Sequence, residues 1–190
     1  MAESKNNVLT HGLSGKVGDL IVFRSRFGKT FVSSKPKERT GEPTEAQQNH
    51  KEKFQEAVLY AKVAIKNPET AADYKEEAKN AEKSAYNVAI ADFFHAPDIK
   101  NVDLEKYSGK AGDTITIEVT DDFKVKSVTV AILNADGTEV EHGDAKQDAV
   151  DTRQWVFTAK AANASLDGDK IIIRASDIPG NVTEKESSLS

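Results

Sequence analysis

A chain of 190 residues is long enough for one or two domains with a sizeable core. Hydrophobic residues make up 38% and charged residues 30%, which excludes disorder along the whole length, and no run approaches the roughly 18 apolar residues of a membrane helix. The absence of cysteine excludes disulfides, thiolate nucleophiles and cysteine-ligated metal centres.

The net charge of −5 is unevenly spread. Within residues 1–40, Lys5, Lys16, Arg24, Arg26, Lys29, Lys35, Lys37 and Arg39 stand against Glu3, Asp19 and Glu38, a net of +5, so the remaining 150 residues carry −10. This asymmetry sets the first 40 residues apart as a physical unit. Residues 1–10 are polar, with no apolar stretch before a small-residue cleavage site, so no ordinary secretory signal is expected. The expected location is the cytoplasm or a virion, or the exterior by a route that the sequence does not reveal.

The first unit reads as a glycine-rich lead and a β-hairpin. The lead GLSGKVG (residues 12–18) is too rich in glycine for a helix. Residues 20–26 and 29–34 then flank Phe27-Gly28, where Gly28 supplies the positive φ of a tight turn. Ile21, Phe23 and Phe31 alternate with polar neighbours. An isolated hairpin is marginal in water, so this arm must pack on something.

Residues 41–100 read as a helical hairpin. Thr44 and Gln47 make a capping-box pattern that opens a helix running to about Lys66, with Phe54, Val58, Ala61 and Ile65 as its apolar face. Asn67-Pro68 stops it and starts the next. That second helical region extends towards Phe94 with a break near Asn80, its better face being Tyr86, Ala89, Ile90 and Phe93.

From residue 101 onward the period becomes two. Ile115, Ile117 and Val119 share one face, as do Val128, Val130 and Ile132; residues 138–141, 155–159, 170–175 and 182–186 supply further strands between turns. Six or seven short strands in roughly 85 residues predict a β-sandwich. The expected fold class is therefore α+β.

Two resemblances accompany this reading. The segments GDTITIEVTD (residues 112–121), VKSVTV (125–130) and above all RASDIPGNVT (174–183) resemble a bacterial immunoglobulin-like domain, whose repeats often end in A-x-D-x-x-G-N. The resemblance implies an immunoglobulin-like sandwich serving as spacer, adhesive module or decoration. The first 65 or so residues resemble a group of uncharacterised bacterial proteins with the same hairpin-then-helix start, which implies no activity.

Motifs for chemistry are sparse. Gly28-Lys29-Thr30 departs from a phosphate loop, because Phe23 stands where that loop needs a glycine. Histidines 11, 50, 95 and 142 fall in four different elements without metal-ligand spacing, and no serine has a nucleophile-elbow context. Asp121, Asp122, Asp136, Asp144, Asp148, Asp151, Asp167 and Asp169 lie in expected loops, but none of the sequence matches calcium-loop spacing. Trp155 reads as a core residue. No catalytic, cofactor or metal residue is therefore expected, and no enzyme activity.

A basic arm and an acidic body in one chain are complementary. Either the arm folds back on its own body or it reaches the next copy. The expectation is a non-enzymatic structural protein that assembles head-to-tail with itself, without membrane insertion, through Leu20, Ile21, Phe23, Arg24, Arg26, Phe27, Lys29 and Phe31. The alternative is nucleic-acid binding by the basic ribbon.

Overall fold

The computed structural model describes residues 2–4, 10, 12–26, 28–36 and 41–189, with side chains from residue 10 onward except that of Arg26. The chain divides into two compact units, Met1–Lys51 and Glu52–Ser190.

The first unit holds an antiparallel sheet of β1 (Ala2–Ser4), β2 (Gly15–Val17), β3 (Ile21–Arg26) and β4 (Lys29–Ser34) in the order β1-β4-β3-β2. The β3–β4 hairpin pairs Ile21 with Ser34 through Arg26 with Lys29, and Gly28 takes a φ of +74° between them. Phe27 lies outside the described residues. The arm is more than the expected two-stranded hairpin, since β2 pairs along β3 and β1 along β4, covering much of both hairpin edges. The glycine-rich lead is thus partly a strand. Its glycines weaken a strand on their own, and pairing with β3 supplies what local propensity lacks.

Helix α1 (Glu45–Ala64) opens with the expected capping box. The Gln47 N–H donates to Thr44 Oγ1 at 3.3 Å and the Thr44 N–H to Gln47 Oε1 at 3.2 Å. Its buried stripe is Ala57, Ala61 and Ala64, whereas Phe54, expected on the apolar face, is 46% exposed. Helix α2 (Pro68–Asn80) starts on an Asn67 cap with proline in its first turn, and α3 (Ala85–Phe94) on Ser84. Ala61, Ala64, Tyr74, Val88 and Ala89 form their common core.

Eight strands build the sandwich. One sheet orders β5 (Asp98–Asp103), β6 (Thr114–Thr120), β10 (Gln154–Thr158) and β9 (Lys146–Gln147) as β5-β6-β10-β9. The other orders β7 (Val125–Leu133), β8 (Glu139–Asp144), β11 (Lys170–Asp177) and β12 (Val182–Ser188) as β12-β11-β7-β8. All pairs are antiparallel. The alternation read from the sequence is the alternation of burial: Ile115, Ile117 and Val119 from one sheet meet Val128, Val130, Ile132, Ile171 and Ile173 from the other, all at most 1% exposed. Burying each such side chain stabilises the fold by about 1.5–3 kcal/mol. Trp155, 6% exposed, belongs to this core as expected. The fold is α+β with a β-sandwich as its larger part.

Candidate functional site

Strand register sorts the arm residues onto two faces, because directly opposed residues of an antiparallel pair share a face. Ile21 opposes Val17 and Ser34, and Phe23 opposes Gly15 and Val32, giving one apolar face. Val22 opposes Lys16 and Ser33, and Arg24 opposes Phe31, giving a face that also carries Lys29. Phe31 therefore lies across the sheet from Ile21 and Phe23 rather than beside them. Of the eight residues grouped by the sequence, Ile21 and Phe23 lie on one face, Arg24, Lys29 and Phe31 on the other, and Leu20 in the preceding turn. Arg26 opposes Lys29 at the end of the ladder.

Both faces carry exposed residues. Leu20 is 78% exposed, Val17 57% and Ile21 38%, while Lys16, Arg24 and Lys29 are exposed on the other face. Thr30, in the would-be phosphate motif, is buried and its Oγ1 accepts the Gly12 N–H at 3.1 Å. It serves the packing of the lead, in a strand, as the missing loop glycine implied. Lys35 pairs with Asp19 at 2.7 Å.

A second cluster lies in the other unit, where α3 meets two loops of the sandwich. Asp92, in the last turn of α3, is 2% exposed and is the sole charged residue of that helix. Asp121 follows β6, and Asp177 ends β11 at a register shift. One carboxylate oxygen from each lies within 4.8 Å of the other two. Three full charges at that spacing repel by on the order of 3 kcal/mol per pair at an effective dielectric of about 20. The negative end of the α3 dipole adds to the cost of charge on Asp92.

The hydrogen bonds satisfy this cluster unevenly. Asp177 is well served: Oδ1 accepts the N–H groups of Gly180 and Asn181 at 2.7 and 2.6 Å, and Oδ2 accepts Asn181 Nδ2 at 2.7 Å. Gly180 turns the chain back with a φ of +96°, a conformation that favours glycine. Asn181 Nδ2 also donates to the carbonyls of His95 at 3.0 Å and Phe93 at 3.3 Å, clamping the end of α3 to this loop. Asp92 Oδ2 accepts the Tyr74 hydroxyl, which lies 2.7 Å from the Tyr60 hydroxyl, so α1, α2 and α3 are linked in one chain of polar contacts. Tyr74 stacks on Phe123 with ring centroids 4.6 Å apart. Asp121 Oδ1 accepts the Asp122 N–H at 2.7 Å. Among the described residues, buried side-chain atoms without a hydrogen-bond partner are Asp92 Oδ1 and Asp121 Oδ2 in this cluster and Trp155 Nε1 in the sandwich core.

The electrostatics reflect that deficit. Burial, opposed by the Tyr74 hydrogen bond and reinforced by Asp121, Asp177 and Asp122, pushes the Asp92 carboxyl up to about 7. Burial likewise raises Asp121. Burial drives the Tyr74 hydroxyl far above its ordinary range, and the neighbouring acid and tyrosine add to this, so it stays a donor.

The loop aspartates singled out by composition are mostly engaged locally. Asp136 caps the turn at Thr138, Asp148 accepts the N–H groups of Val150 and Asp151, and Asp151 binds Arg153. Asp169 is buried against Ala135 and Asn163. Histidines 50, 95 and 142 are exposed; His95 pairs with Asp122 at 3.0 Å and His142 with Glu139 at 2.6 Å. His11 lies outside the described residues.

The sequence reasoning missed Asp92, Asp177, Tyr74 and Asn181 as a group. A lone carboxylate in the otherwise uncharged helix AYNVAIADFF was one available signal, and the D-x-x-G-N end of the sandwich was another.

The chain matches no known protein-family model. No curated protein matches it either. Among solved structures it is similar to the crystal structure of CopC from Methylosinus trichosporium OB3b, at 16% identity and a TM-score of 0.35, over 47% of this chain and 87% of that one.

Proposed function

We propose that this chain is a non-enzymatic structural protein that assembles head-to-tail, the N-terminal sheet of one copy docking on the acidic body of the next. The observation that carries the reading is a sheet with Lys16, Arg24 and Lys29 on one face in a chain whose remaining 150 residues carry −10. Complementary charge steers the encounter, and burial of Val17, Leu20 and Ile21 supplies affinity. With much of the hairpin edges covered by β1 and β2, docking uses the faces of the sheet rather than strand addition to a bare hairpin. Repeated contact of this kind gives a filament, or a ring if the rotation closes.

The sandwich, residues 101–190, is read as an immunoglobulin-like domain. Its strand orders β5-β6-β10-β9 and β12-β11-β7-β8 correspond to A-B-E-D and to G-F-C with one added strand, the arrangement of that fold. Such a domain acts as a spacer or a contact surface in the assembly. No helix among the described residues is long and apolar enough to cross a membrane.

Nucleic-acid binding is the second reading, favoured by the row of Lys16, Arg24 and Lys29 beside Phe31. The −10 elsewhere opposes it. Size-exclusion chromatography with negative-stain microscopy, on the full chain and on a version lacking residues 1–40, separates the two. Polymers that vanish on truncation support assembly. A full chain that stays monomeric at high concentration and retards DNA with steep salt dependence refutes it.

A further inference from the structure

The cluster at the end of α3 has the donors of a metal site and a deficit that a metal would fill. Asp92, Asp121 and Asp177 come from a helix and two sandwich loops, yet each brings one oxygen within 4.8 Å of the others. Two oxygens on opposite sides of one calcium ion, bound at 2.3–2.6 Å, stand about 5 Å apart, so this spacing fits a shared ion. The second observation is independent of the acidity. Asp92 is 2% exposed, and its Oδ1 has no hydrogen-bond partner among the described residues; Asp121 Oδ2 is likewise buried and unpartnered. Buried carboxylate oxygens of this kind are costly unless a cation or a proton meets them.

We propose that Asp92, Asp121 and Asp177 bind one calcium ion, which ties the C-terminal end of α3 to the β6–β7 and β11–β12 loops of the sandwich. Asp92 Oδ1 and Asp121 Oδ2 are the open ligand atoms, and Asp177, oriented by Gly180 and Asn181, completes the carboxylate set. Asp92 is held in aim by the Tyr74 hydroxyl on its other oxygen, an outer contact of the sort that fixes ligand orientation. Water supplies the remaining coordination. All donors are hard oxygens, which suits calcium over zinc or copper, and magnesium would require contraction to 2.0–2.1 Å bonds in a near-ideal octahedron. A cleft lined by Glu77, Lys83, Val88, Asp92, Asp122 and Phe123 reaches Asp92, one of the three carboxylates. All three carboxylates belong to the second unit.

The test is calorimetric titration of the full chain, stripped with EDTA, with calcium chloride, joined to thermal unfolding with and without millimolar calcium. The expected result is one equivalent bound, a midpoint raised by several degrees, and magnesium binding at least ten-fold weaker. Asp92→Asn and Asp121→Asn should each weaken calcium binding at least ten-fold and remove the midpoint shift, while Asp148→Asn changes neither. Asp121 lies in a loop, so its variant keeps the test available if Asp92→Asn folds poorly. The proposal is overturned by absence of binding at millimolar calcium, by equal loss in Asp148→Asn, or by tighter binding of magnesium. It is also overturned if Asp92→Asn raises the midpoint while calcium has no effect on the parent chain, which is the behaviour of a cluster held by a shared proton.

Discussion

Replacing Asn181 by alanine tests how the helical layer is fastened to the sandwich. The side-chain amide has two hydrogens and three acceptors: the Asp177 carboxylate at 2.7 Å and the carbonyls of His95 at 3.0 Å and Phe93 at 3.3 Å. At most two good bonds form at once. A bond to a charged acceptor contributes about 1.5–3 kcal/mol and a neutral one about 0.5–1.5 kcal/mol. Asn181 is half-buried, so water replaces part of this, and the expected loss is about 2 kcal/mol. The backbone N–H bond to Asp177 Oδ1 survives the change. Urea unfolding in EDTA, followed by the fluorescence of the buried Trp155 and by helical circular dichroism, measures the loss. Asn134→Ala, which breaks a contact to Thr138 inside an exposed turn, should stay within about 0.5 kcal/mol. A loss below about 0.5 kcal/mol for Asn181→Ala refutes the clamp.

Two further outcomes are expected. Ile173, 0% exposed between β7 and β12, should cost about 3–4 kcal/mol when cut to alanine, read from the same urea midpoint. Asp113 accepts the N–H groups of Lys110 and Ser108 and the Ser108 hydroxyl, which hold its carboxyl below the ordinary range. A depressed folded-state value means that its contribution is complete above the unfolded value of about 3.9 and is lost as the pH falls through the folded one. A carboxyl NMR titration should place its midpoint below that of an unfolded aspartate; an ordinary midpoint contradicts the assignment.

The elements with strong local signals were legible in the sequence. The caps at Thr44 and Asn67, the break before α3 and the alternating strands β6, β7 and β11 all sit where their residue types place them. Long-range pairing left no such trace. Strand β1 joins β4 across more than 25 residues, and β2 is a glycine-bearing segment whose strand character comes from its partner. On α1, hydropathy favoured Phe54, but alanine's small side chain lets Ala57, Ala61 and Ala64 form the buried stripe. The acidic cluster draws on positions 92, 121 and 177, so no spacing motif could display it. The D-x-x-G-N motif pointed to a turn and gave no hint that its asparagine grips a helix.

Sedimentation velocity of the full chain, compared with the Val17→Asp, Leu20→Asp double variant at about 50 and about 500 mM salt, bears most directly on assembly through the arm. Both positions are exposed, at 57% and 78%, so the variant retains its fold. The expected result is large species at low salt that shrink at high salt as charge is screened, and a monomer at both salts for the variant. A parent chain that sediments as a monomer at every concentration, or a variant that assembles like the parent, would contradict it.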